Sequence, residues 1–181
     1  MDKGLKIFIR YLIIVLIAIP NLFVFYFIFT PATIYPVFGA FKIFFKEVLL
    51  IGNTFKISGE FFIEIIPACI AGSAYYLLFI LNFSIPKIKI KKRLKMLLFS
   101  FSFLLILNIL RIVILSLIFV YSPETSNLFD ISHKLFWYFG TTIFVVLIWF
   151  IEVKTFKIKK IPVYSDIIQL IKYKKFYKNK K

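Results

Sequence analysis

The chain contains one cysteine, Cys69, and one histidine, His133, and it places an arginine, Arg111, deep inside an apolar run. Those three side chains are the parts of an acyl-transfer site. A thiolate attacks a carbonyl, an imidazole moves protons near neutral pH, and a guanidinium stabilises a developing oxyanion. Each also has a plainer use. A free cysteine packs as a small hydrophobe, a lone histidine sits at an interface beside residues such as Trp137 and Tyr138, and a membrane arginine can snorkel to the headgroups. Arg111 is the most informative of the three, because Leu104–Val120 is otherwise apolar except for Asn108 and Ser116, and charge inside such a segment is expensive. Asn108 lies one turn back on the same helical face, where it can orient the guanidinium.

Local sequence suggests how the other two are held. Pro67 suits a first helical position, which places Cys69 in the first turn of a helix. Unpaired N–H groups favour a thiolate there, and Gly72 and Ser73 leave the backbone open to a substrate. Asp130 or Ser132 can cap a helix that opens with His133. One cysteine excludes an intrachain disulfide and a zinc site of several thiolates. With no acidic metal cluster and no Gly-rich phosphate loop in the sequence, neither metal nor cofactor is expected.

The elements that would position these residues follow from composition. Of 181 residues, 61% are apolar and only 18% charged, which excludes an ordinary water-soluble domain and a disordered chain alike. The formal charge of +16 is no nucleic-acid signature, since the basic residues flank long apolar runs. The fold expected is an all-α membrane bundle of about four transmembrane helices, with a small β-hairpin and an interfacial helix on its outer side. A bilayer core needs about 20 helical residues, and the candidate spans are roughly 8–29, 67–83, 96–121 and 133–151. The first is interrupted at Pro20-Asn21, where a kink is expected, and no small-x-small site follows it as in a cleaved signal peptide. Segment 34–51 reads as an interfacial or re-entrant helix, because Lys42, Lys46 and Glu47 make a fifth span costly. Alternation on either side of Ser58-Gly59-Glu60 predicts the hairpin over 54–66. On this reading residues 1–151 form the transmembrane domain and 152–181 a basic tail, either solvated or lying on an anionic leaflet through Ile167, Ile168, Leu170 and Ile171.

Lysine and arginine orient the chain. Lys3, Lys6 and Arg10, the 86–95 loop and ten lysines of the tail lie on one side, whereas 30–66 and 122–132 hold few basic residues and most of the acidic ones. The positive-inside rule makes both termini cytoplasmic in a multi-pass protein of the cell membrane. Arg111 then lies about 23 Å above Met96 at 1.5 Å per residue, roughly 7 Å below the outer surface of a 30 Å core. Cys69 and His133, counted from their own spans, reach the same outer level.

At these residues the chain resembles the exosortase/archaeosortase family of membrane-embedded cysteine transpeptidases. The likeness covers roughly 50–140: the hairpin from Phe55 to Glu64, the run Ile66-Pro67-Ala68-Cys69-Ile70-Ala71-Gly72, the Asn108-Ile109-Leu110-Arg111 motif, and His133 at the start of the last span. It implies that Cys69 is the nucleophile, Arg111 the essential arginine, and His133 the third catalytic position, which is arginine in other branches. One departure stands out. The family's cysteine is commonly followed by Ser or Thr and then Gly, whereas Ile70 and Ala71 follow here and Gly72 comes one place late.

The resemblance implies cleavage of a C-terminal sorting signal on exported proteins and transfer of the new C-terminus to an acceptor, a membrane lipid being the expected one. Such a signal comprises a short motif, an apolar helix and a basic tail. Two other classes remain open on the residues alone. In a non-enzymatic scaffold or assembly factor, Arg111 pairs with a partner's acidic group and Cys69 is packing. In a small transporter, Arg111 lines an anion path, although Leu104, Leu107 and Leu115 make that helix unusually apolar for the purpose.

Overall fold

The computed structural model describes residues 3–18, 22–86, 88–121, 131, 134–135 and 140–158. Its elements are α1 (Lys3–Ala18), α2 (Phe23–Phe44), β1 (Val48–Ile51), β2 (Thr54–Ile57), β3 (Phe61–Glu64), α3 (Pro67–Ile70), α4 (Gly72–Phe83), α5 (Ile90–Tyr121) and α6 (Thr141–Thr155). Among the described residues, α2 and α5 are long and apolar enough to cross a membrane.

The expected first span, 8–29, is two helices. Leu22 takes a left-handed conformation at φ 59°, which no continuous α-helix accommodates, so α1 ends before it and α2 starts after it. The expected interfacial helix over 34–51 does not form as one element either. Its first part is the end of α2, which runs on through Pro31 and Pro36 to Phe44, and Phe45 then turns extended. Its last four residues are β1. Charge bars a span only where it is buried. Here Lys42 is in the last turn of α2, its ammonium 4.2 Å from the Phe38 ring centre, and Lys46 and Glu47 lie beyond the helix.

The hairpin expected over 54–66 is present as β2 and β3, and β1 makes it a three-stranded antiparallel sheet of order β1-β2-β3. Two residues join β1 to β2, and Gly52 at φ +61° supplies the positive φ that a short hairpin loop needs at its first position. Alternation sets the buried face: Phe55 and Ile57 are fully buried, with Phe55 packed against Phe38 and Phe41 of α2. Phe61 meets Phe119 of α5 edge to face. The sheet therefore packs against the ends of α2 and α5, which are themselves joined where Tyr121 Oη donates to the Phe44 carbonyl at 3.2 Å.

Successive contacts fix how the first two helices run. Arg10 lies within electrostatic range of Arg93 near the start of α5. The Ile14 carbonyl accepts from Tyr76 Oη at 3.0 Å, Phe25 packs on Phe79 and Phe101, and Phe45 stacks on Tyr121. Thus α1 packs on α4, and α2 rises alongside α5 to its last turn.

The expected span 67–83 is broken as well. Ala71 is left-handed at φ 59°, separating the single turn of α3 from α4. The expected boundary at 152 falls inside α6, where Glu152 is wholly buried. The rest of the tail from 159, the expected kink at Pro20-Asn21 and most of the 122–139 segment lie outside the described residues.

Candidate active site

The break at Ala71 creates the site. In an unbroken helix the carbonyl of Cys69 would accept the N–H four residues on. That donor would be Ser73, but with Ala71 left-handed α4 starts its own bonding at the Ala71 carbonyl, which accepts from the N–H groups of Ala74 and Tyr75. The Cys69 carbonyl is taken instead by α5. Asn108 Nδ2 donates to it at 2.8 Å and Arg111 Nη2 at 3.1 Å. Arg111 Nη1 donates to Thr141 Oγ1 at 3.1 Å, so one guanidinium ties α3 to the first residue of α6. Spacing explains the pairing: residues three apart on α5 project from the same face, and both reach one oxygen.

Asn108 and Arg111 are both buried. The hydrogen-bond partners of the guanidinium are neutral, a peptide carbonyl and a hydroxyl, and the Cys69 thiol and Tyr75 phenol lie within its electrostatic range. Tyr75 is fully buried, its ring stacked on Phe29 at 3.6 Å. A cavity of about 520 Å³ opens beside the guanidinium, lined in part by Tyr26, Ala68, Ser73, Arg111, Thr141 and Thr142. Hydroxyls and one cation in an apolar bundle suit a polar, electron-rich group such as a scissile carbonyl or a carboxylate. Cys69 is half-buried; its neighbours Ala68 and Ala71 line the cavity, and Cys69 itself is not among the lining residues.

The site residues expected from sequence therefore fare differently. Cys69, Asn108 and Arg111 are brought together, on three different turns of two helices. His133 lies outside the described residues. Two expectations about the cysteine turn are corrected. Cys69 is not in the first turn of a long helix, because α3 is four residues and carries little dipole of its own. Nor is the backbone at Gly72 open: a Cβ there would lie 2.7 Å from Tyr26 Cζ, so glycine is required because an aromatic ring covers it. Ser73, one residue on, does face the cavity.

Sequence reasoning missed Thr141, Tyr75 and Tyr26. The pair Thr141-Thr142 was a usable signal, two hydroxyls opening an apolar helix. The tyrosines carried none, since ten tyrosines are spread along the chain. No family model, no curated protein and no solved structure matches this chain.

Proposed function

We propose that this protein is a multi-pass membrane cysteine transpeptidase of the exosortase/archaeosortase type. The observation that carries this reading is the placement of Arg111 against Cys69, 3.1 Å from its carbonyl and on the wall of a cavity that Ala68 and Ser73 also line. Four crossings accommodate the elements, with α1 and α2 sharing the first, α3 and α4 the second, and α5 and α6 the others. Both termini are then cytoplasmic, and the sheet and the cysteine turn belong to the outer half.

In the proposed reaction the Cys69 thiolate attacks the carbonyl of the scissile peptide bond. A C–S bond forms and the C–N bond breaks, giving a thioester and a free amine. Arg111 stabilises the thiolate and the oxyanion, an interaction strengthened where water is scarce. His133 takes the thiol proton, delivers it to the leaving amine, and then deprotonates the acceptor that opens the thioester. The substrates are exported proteins with a C-terminal motif, apolar helix and basic tail, and the acceptor is a membrane lipid. The test is to express the chain with such a substrate and look for a thiol-sensitive acyl adduct on Cys69. Cleavage that persists in Cys69→Ser would end the proposal.

One observation favours a second reading. Arg111 and Asn108 hold the carbonyl of Cys69, a backbone group any residue would supply, so the cluster also serves to satisfy a helix break. A non-enzymatic membrane scaffold needs no more than that. It predicts that Cys69→Ala keeps full function and a stable partner copurifies with it.

A further inference from the structure

A second polar layer joins α4, α5 and α6 away from the cysteine. Asn82 Nδ2 donates to Glu152 Oε2 at 3.1 Å and to the Leu78 carbonyl at 3.1 Å, and Ser100 Oγ donates to the same Oε2 at 2.6 Å. Asn82, Ser100 and Glu152 are completely buried. Two oxygens in this layer have no hydrogen-bond partner, Glu152 Oε1 and Asn82 Oδ1. The amide cannot be turned round to relieve this, since Oδ1 would then oppose two acceptors.

The charged groups nearby are basic and engaged elsewhere. Arg93 of α5 donates to the carbonyls of Asn82, Phe83 and Ile85, closing the end of α4, and packs over the Phe83 ring. Lys92 donates to the Phe156 carbonyl at 2.8 Å, Arg10 of α1 lies near Arg93, and Lys154 of α6 is exposed. An ionised Glu152 would thus be a buried carboxylate with no ion-pair partner among the described residues, an arrangement folded proteins avoid. A metal ion is a poor remedy at so basic an end, and no group of three acidic, histidine or cysteine ligands exists among the described residues.

One proton meets both deficits. The two orphan oxygens belong to planar groups already joined by one N–H···O bond. A carboxylic acid whose O–H points at the amide carbonyl completes the cyclic two-bond pair of an acid with an amide. We propose that Glu152 binds a proton on Oε1 and pairs in this way with Asn82, locking α6 to α4 while Ser100 holds the pair to α5. The pair fastens the same helices that shape the cysteine site. Ten residues separate Gly72 from Asn82, and eleven separate both Ser100 from Arg111 and Thr141 from Glu152, about three turns in each case. This inference does not depend on the proposed transpeptidase activity.

Unfolding would release this proton to water, so stability should fall as pH rises. The full-length protein in detergent is compared with Glu152→Gln, whose NH2 takes the place of the acid O–H. In the wild type the unfolding equilibrium constant should rise by up to about tenfold per pH unit above the ordinary carboxylate range, and Glu152→Gln should abolish that component. The wild type should also show a protonated-carboxyl C=O infrared band at neutral pH that is shifted in D2O and missing from Glu152→Gln. Equal pH slopes in the two proteins, or no such band in the wild type, would overturn the proposal. The infrared measurement on the wild type decides the matter even if the variant fails to fold.

Discussion

Arg111 reaches Cys69 through the carbonyl oxygen of that residue, 3.1 Å from Nη2, and that separates what the cysteine does for the fold from what its thiol does. The peptide oxygen holds α3 to α5 whatever the side chain. Cys69→Ala and Cys69→Ser should therefore keep that link and unfold within about 1 kcal/mol of the wild type, the typical loss when a half-buried side chain resting on the core is altered. Substrate processing, by contrast, should fall on the order of a thousandfold or more, as when a nucleophile is removed. Thermal unfolding and a processing assay on the same preparations separate the two effects.

Arg111→Lys should not be conservative. Lysine lacks the planar fork that serves the Cys69 carbonyl and Thr141 at once. One charge-assisted hydrogen bond is lost, a cost of roughly 1.5–3 kcal/mol, while Asn108 still serves the Cys69 carbonyl. Thr141→Val should cost about 1 kcal/mol by the same reasoning, and the double variant should lose less than the sum of the two. A double-mutant cycle by chemical denaturation checks this coupling.

The ring of Tyr26 lies where a side chain at residue 72 would go. Gly72→Ala should destabilise by about 1–3 kcal/mol through overpacking. Tyr26→Leu in the same chain should recover part of that loss, because it removes the ring atoms nearest the new methyl. No recovery in melting temperature would mean that residue 72 is restricted by something other than Tyr26.

Ala71 takes left-handed φ and ψ of 59° and 41°, a conformation that costs a residue with a Cβ roughly 1–2 kcal/mol. Ala71→Gly should thus be neutral or stabilising by up to about 1 kcal/mol, after the extra chain entropy of glycine is subtracted. Ala71→Val should be destabilising by more than 1 kcal/mol, since a β-branched residue tolerates this region poorly. If valine were harmless, the helix break would not depend on this residue.

Much was legible in the chain alone. Long apolar runs determine that most of the chain is helical, alternation around Ser58-Gly59-Glu60 determines the β2–β3 hairpin, and the three-residue step from Asn108 to Arg111 determines that both share a face. These are periodicities of a single element, which depend only on the backbone repeat. Tertiary structure decided the rest. Whether 34–51 continues a helix or becomes a strand depended on β2 being available to pair with residues 48–51. The helix breaks at Leu22 and Ala71 occur at ordinary apolar residues with left-handed backbones, which carry no glycine to mark them. The meeting of Arg111 with Thr141, and of Asn82 with Glu152, joins positions 30 and 70 residues apart. No local pattern encodes such pairs, because a buried polar group takes its partner from whichever helix the bundle places beside it.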